Sequence, residues 1–221
     1  MVKLYVICGH GGSSPYDSGA CGNGYQEAER VRVLASRMKA LGGSQVEVLD
    51  TSRNWYADGG INSLTLPKDA CLLELHLDSA VASARGGHVI ISSRFEADEY
   101  DKALAKWVGS YFSGRANTIV KRSDLANVNR AANRNLNYRL LEVCFISNKA
   151  DITKFNSNLD EVAKGILGAF GIKPIETPKE TKAATTFYQV ITGSFSVKEN
   201  AEKRVKELRE KGFNSFIQIK K

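Results

Sequence analysis

No apolar run in this sequence approaches the length of a bilayer span, because stretches such as "LYVIC" and "CLLELHL" are strand-sized. A membrane-spanning helix is therefore not expected. The first residues, "MVKLYVICGHGG", have too short an apolar core for a secretory signal and run straight into the fold, which predicts synthesis in the cytoplasm. Cysteine is scarce. The four residues Cys8, Cys21, Cys71 and Cys144 form no C-x-x-C pair, which argues against a cysteine-built zinc site and predicts reduced, mostly buried thiols. Proline is equally rare, and two of the four lie within "GIKPIETPKETKAATT" (171–186), a stretch with no large aromatic and alternating charge. It reads as an exposed linker. The expected organisation is a body over 1–172, a linker over 173–186 and a small unit over 187–221.

The net charge of +7 is unevenly spread. Residues 1–172 carry 20 Lys/Arg against 18 Asp/Glu, whereas 173–221 carry 11 against 6. An anionic partner is therefore expected at the tail. The body is close to neutral and the tail's helical stretch alternates acid with base, which weighs against nucleic acid.

What the body does contain is an alternation of strand and helix patterns. Strands are predicted over 2–8, 46–49, 71–77, 88–92 and 139–145, and helices over 25–41, 96–112 and 159–170. In the first helix Val31, Leu34, Ala35, Met38 and Leu41 keep helical spacing, and Asn23 with Gln26 reads as its capping box. The alternation predicts an α/β fold with a central, mostly parallel sheet flanked by helices. Ligand sites in such folds lie at the carboxyl ends of strands.

Gly9-His10 occupies such an end, in the Gly/Ser-rich "CGHGGSSPYDSGACGNGYQEAE". A phosphate cradle fits poorly, because a P-loop needs Gly-Lys-Ser/Thr where this helix opens with Gly24-Tyr25-Gln26-Glu27. Glu27 sits one turn before Val31 on the apolar stripe. It is either a first-turn acid favoured by the helix dipole or part of a site. In "CLLELHLD" one face is apolar, and the other carries Leu72, Glu74, His76 and Asp78. A lone strand histidine is usually structural. Two histidines at strand ends plus a nearby carboxylate instead match the set that holds a catalytic zinc ion with one open position. Glu142, among Leu140, Leu141, Val143, Cys144 and Phe145, is costly to bury ionised, and burial tunes a carboxyl toward proton transfer. His88 reads as structural or substrate-edge rather than a ligand. "KRSDLANVNR" (121–130) is either a contact for an anionic substrate or a solvated loop.

"GHGG" (9–12), "GNGYQEAERV" (22–31), "LLELHLD" (72–78) and "LLEVCFISN" (140–148) together resemble the zinc-dependent N-acetylmuramoyl-L-alanine amidases, amidase family 3. The resemblance implies Zn2+ held by His10, Glu27 and His76, with Glu142 as catalytic acid/base and peptidoglycan as substrate. Glu74 and Asp78 stand where the family more often has Ser and Asn, Cys144 replaces a glycine, and the loop after Gly12 is longer than usual. The tail, "FYQVITGSFSVKENAEKRVKELREKGFNSFIQIKK", reads as strand, helix, strand and resembles one half of a SPOR-type wall-binding module. Half a module is small to fold alone and carries exposed apolar side chains, so pairing of two tails into a homodimer is expected. Anionic wall polymers are a further possible partner for its basic charge. The implied activity is cleavage of the amide between N-acetylmuramic acid and L-alanine, in a phage endolysin or sporulation autolysin released by lysis. A zinc peptidase or deacetylase acting on another wall bond, and a non-catalytic wall-binding protein, are the alternatives.

Overall fold

The apolar run Leu4–Cys8 forms β1, an inner strand of a six-stranded sheet, and leads into the Gly-rich loop. The computed structural model describes residues 2–12, 16–175, 192–213, 215 and 217. After the loop, two short strands, β2 (Cys21–Gly22) and β3 (Tyr25–Gln26), pair as an antiparallel ribbon. Helix α1 (Glu27–Gly42) follows directly. Its stripe of Val31, Leu34, Ala35, Met38 and Leu41 is fully buried, as the spacing predicts. The predicted capping box is not formed. Gln26 is the N-cap without a side-chain bond, and Asn23, at φ +51°, donates its amide to the Ile146 carbonyl 2.8 Å away. The ribbon fixes the helix entry, so Asn23 is spent on tying the loop to the far side of the site.

The chain continues through β4 (Val46–Val48), β5 (Cys71–Asp78), β6 (His88–Ser92), α2 (Glu99–Tyr111), β7 (Ile119–Arg122), α3 (Ala126–Asn133), β8 (Asn137–Phe145), α4 (Lys149–Ser157) and α5 (Leu159–Ala169). Strand order is β4-β1-β5-β8-β6-β7, with every neighbouring pair parallel except β6 against β8. The reversal brings the start of β6 to the edge where β1, β5 and β8 end. Side chains from alternate positions cover the two faces. Leu4, Val6, Leu73, Leu75, Leu141 and Val143 pack on the helices α1, α2, α4 and α5. Ile7, Leu72, Ile90, Leu140 and Tyr138 face α3 and the segment carrying Trp55 and Ile61. Each buried aliphatic side chain on these faces contributes about 1.5–3 kcal/mol from area removed from water.

Helix α2 starts three residues later than its apolar pattern suggests, because Asp98 and Asp101 form a reciprocal capping box. The segment 121–130 is a solvated loop only in part, with Lys121, Ser123 and Asp124 exposed. It closes β7 and opens α3, whose Val128 and Ala131 are buried. Of the thiols, Cys8, Cys71 and Cys144 are buried and free as expected, but Cys21 is exposed on the ribbon.

Contacts divide the chain into Met1–Thr177 and Pro178–Lys221. The second unit holds α6 (Lys198–Glu210), on which Ala201, Val205 and Leu208 are the half-buried positions. The strand predicted before it, and most of the strand predicted after it, lie outside the described residues. No helix among the described residues is long and apolar enough to cross a membrane.

Candidate metal centre

Three of the sequence-predicted site residues meet at the carboxyl edge of the sheet. His10 follows the end of β1 at φ +64°, an unusual backbone state for a residue with a side chain. Arg32, one turn into α1, holds that bend by donating to the carbonyls of Gly9 and His10, both at 3.1 Å. Glu27 is the first residue of α1 and is 3% exposed. His76 lies near the end of β5. Candidate ligand atoms of His10, Glu27 and His76 all fall within 4.8 Å of one another.

Glu27 is the hub. Its Oε2 lies 3.0 Å from His10 Nε2 and accepts from the Ala20 amide at 2.9 Å. Its Oε1 lies 2.9 Å from His76 Nδ1 and accepts from the Leu77 amide at 2.9 Å. Burial opposes its ionisation, but the bonds to both histidines prevail and hold the carboxyl well below the usual range. The two imidazoles are displaced the other way. Burial disfavours their charge, yet the surrounding carboxylates together outweigh it and raise both, Glu27 with Asp17 at His10 and Glu27 with Glu74 and Glu142 at His76. Electrostatics that favour a proton on these nitrogens favour a cation there too, and two imidazoles with one carboxylate match the donor set of a catalytic metal site.

Two close approaches leave no room for a side chain. A Cβ on Gly9 would stand 2.4 Å from the His76 ring. One on Gly19, at φ +64°, would stand 2.5 Å from His10 and 2.7 Å from Glu27. The loop is glycine-rich here because His76, His10 and Glu27 occupy that space.

Glu142 is the neighbour of this cluster. Strand register pairs His76 with Glu142 across β5 and β8, and Glu142 with His88 across β8 and β6. Directly paired residues share a face, so the three polar side chains form one row. Glu142 Oε2 is buried without a hydrogen-bond partner among the described residues. Burial pushes its carboxyl up to about 8, although His76 pulls the other way. His88, 5% exposed, lies 3.9 Å from Asp78 through Nδ1 and is not part of the three-residue cluster. Asp78 itself pairs with Arg115.

Sequence reasoning missed the residues that brace His10. Asp17 Oδ2 sits 3.0 Å from His10 Nδ1 and receives the Asn54 amide at 3.2 Å, while its Oδ1 accepts from the Gly19 amide at 3.0 Å. Arg32 and Asn54 carry no motif that would single them out. Asp17 stands in "DSGA", where the Asp-Ser-Gly order of a tight turn was the available signal.

Residues 4–171 match the family described as N-acetylmuramoyl-L-alanine amidase, and residues 157–220 match the SPOR domain family. The shared stretch 157–171 is occupied by α5, within the first unit. Among curated relatives, the chain is 38% identical over 193 residues to the Probable autolysin PH of Staphylococcus aureus, covering 78% of this chain and 39% of that protein. The chain thus spans about two fifths of that relative's length. It is also 26% identical to the Sporulation-specific N-acetylmuramoyl-L-alanine amidase of Bacillus subtilis, covering all of this chain and 86% of that protein. The fold matches the catalytic domain of the CD27L endolysin, titled as targeting Clostridia Difficile, with a TM-score of 0.59 at 21% identity over 78% of this chain and 98% of that one. The N-acetylmuramyl-L-alanine amidase Ami1 of Mycobacterium smegmatis gives the same TM-score at 18% identity, over 76% and 95% of the two chains.

Proposed function

We propose, from the premise that this chain belongs to the N-acetylmuramoyl-L-alanine amidase family across residues 4–171, that it is a peptidoglycan hydrolase. It cleaves the amide between N-acetylmuramic acid and L-alanine. His10, Glu27 and His76 hold Zn2+ and Glu142 is the acid/base. The observation that carries this reading is the juxtaposition of a His–Glu–His cluster with an unpartnered, buried carboxyl oxygen one strand away on the same face.

When bound, zinc supplies Lewis acidity toward a carbonyl oxygen and toward water. The chain's own residues do the rest. Glu142 takes a proton as water oxygen bonds to the amide carbon, and delivers it to the nitrogen as the C–N bond breaks. The products are a lactyl carboxylic acid on the sugar and a free α-amine on alanine. A carboxyl raised to about 8 is protonated at neutral pH. A cation beside it lowers that value toward neutrality, where a group both accepts and releases a proton readily. Arg32 and Asp17 hold His10 in its bent backbone, and Glu27's two amide bonds fix the carboxylate between the histidines.

The tail, 187–221, docks the enzyme on the wall through its SPOR-type sequence, with its basic charge favouring anionic wall polymers. Residues 1–172 form the catalytic body and 173–186 the linker, and two tails pair to make a homodimer.

Mass spectrometry of peptidoglycan digested by the protein tests the central reading. New muramic-acid carboxyl ends and new N-terminal alanines are expected, and a strong chelator abolishes their release. Cleavage within the peptide stem, or loss of acetyl groups, overturns the assignment in favour of a peptidase or a deacetylase.

A further inference from the structure

His76 is braced by a carboxylate that the reaction does not consume. Its Nδ1 faces Glu27, but its other nitrogen, Nε2, lies 3.1 Å from Glu74 Oε1. Glu74 is 3% exposed, two residues back on the same strand face. Its remaining partners fix the direction of every bond around it. Arg130 Nη1, which can only donate, gives a hydrogen bond to Asn127 Oδ1 at 2.8 Å. That turns the Asn127 amide nitrogen toward Glu74, at 3.0 Å from Oε1 and 3.1 Å from Oε2. Tyr138 donates its hydroxyl to Oε2 at 2.6 Å. Asn127 and Tyr138 thus both donate to Glu74, the environment of an ionised carboxylate that accepts at every bond. A hydrogen on the Nε2 of His76 completes that set of donors.

We infer that Glu74 is a positioning residue that keeps His76 in the Nε2–H tautomer and so presents a bare Nδ1 toward Glu27 and His10. A carboxylate on the far nitrogen fixes ring orientation and raises the basicity of the nitrogen that ligates. Asn127 and Arg130 come from α3, so this helix has a stake in the site without touching the ligands. The segment 121–130 thus serves the centre from behind. The inference rests on the reading that His10, Glu27 and His76 hold Zn2+.

The decisive measurement uses the unmodified, zinc-loaded full chain. A two-bond proton–nitrogen spectrum of its imidazoles, with His76 assigned by the signals lost in His76→Gln, should show the Nε2–H tautomer. The Nδ1–H tautomer overturns the inference. Glu74→Gln preserves size but puts an amide NH2 against donors, and should weaken Zn2+ binding about 10–100-fold in competition with a chromophoric chelator. Equal affinity in Glu74→Gln and the parent, with both folded by circular dichroism, also overturns it. If Glu74→Gln does not fold, the tautomer of the unmodified protein decides alone. Should the unmodified protein bind no Zn2+, the metal assignment fails and the role of Glu74 fails with it. Zn2+ binding with the wrong tautomer sinks only the latter.

Discussion

At the scale of single residues, the proposed mechanism separates His10, Glu27 and His76, which would hold a cation, from Glu142, which would move a proton. Glu142→Gln should keep fold and zinc content but lose at least about 100-fold in hydrolysis rate, the usual scale for a general acid/base. His76→Ala should lose the metal itself, read by elemental analysis of the purified variant. The remaining histidine has a different consequence. Burial, aided by Arg115 and Arg122 and opposed by Asp78, lowers His88 to about 4 from the usual 6.5. Glu142 stands opposite it on β8. Below pH 6.5 the unfolded chain takes up this proton and the folded chain does not, so stability is lost as pH falls from 6.5 toward 4. The loss attributable to His88 is on the order of 2 kcal/mol by pH 4 after allowing for residual solvation. Urea unfolding at pH 7 and pH 5 should show a shallower acid loss in His88→Leu. An identical loss in parent and variant removes His88 as the cause.

At the scale of elements, the sheet was legible and its supports were not. Apolar runs of four to eight residues bounded by Gly, Asp or Ser marked β1, β5, β6 and β8 to within two residues. Helices α1 and α5 were readable because their apolar stripes are unbroken. Strand β7 and helices α3 and α4 were missed because each is short and carries few apolar residues: β7 has no fully buried position, α3 buries Val128, Ala131 and Ala132 beside Asn127, and α4 buries Ile152 and Phe155 beside Asp151. The candidate ligands were legible as residue types, His10 and His76 at strand ends and Glu27 at a helix start. Their braces were not, since Asn54, Asn127 and Arg130 become neighbours only through tertiary contacts. Arg139 makes the same point in energetic terms. It reads as a polar intrusion into a strand, yet it is 0% exposed and bonds Asp101 at 2.8 Å and Asp98 at 2.9 Å. These acids cap α2, so the guanidinium ties that helix to the sheet. Removing the guanidinium leaves the buried Asp101 without its charge partner, while Asp98 keeps access to water, and Arg139→Ala should cost about 3 kcal/mol in a denaturant titration. A loss below 1 kcal/mol would show that water reaches Asp101 as well.

At the scale of the whole molecule, body and tail are separable in sequence and in contacts. A chain ending at residue 177 should keep hydrolysis of soluble wall fragments while binding less to insoluble wall in a sedimentation assay. Light scattering should give a dimer for the full chain and a monomer for the shortened one. A monomer in both cases overturns the pairing. Within the body, the Gly-rich loop gathers positions 10, 17 and 27, and long-range contacts of β5 and β8 bring up positions 76 and 142. Contacts so distant along the chain close late, because loop-closure entropy must be overcome first. The centre is thus a clock for folding. Zn2+ capture during refolding should trail the recovery of helical circular dichroism, and no fragment that lacks β8 should acquire a complete site.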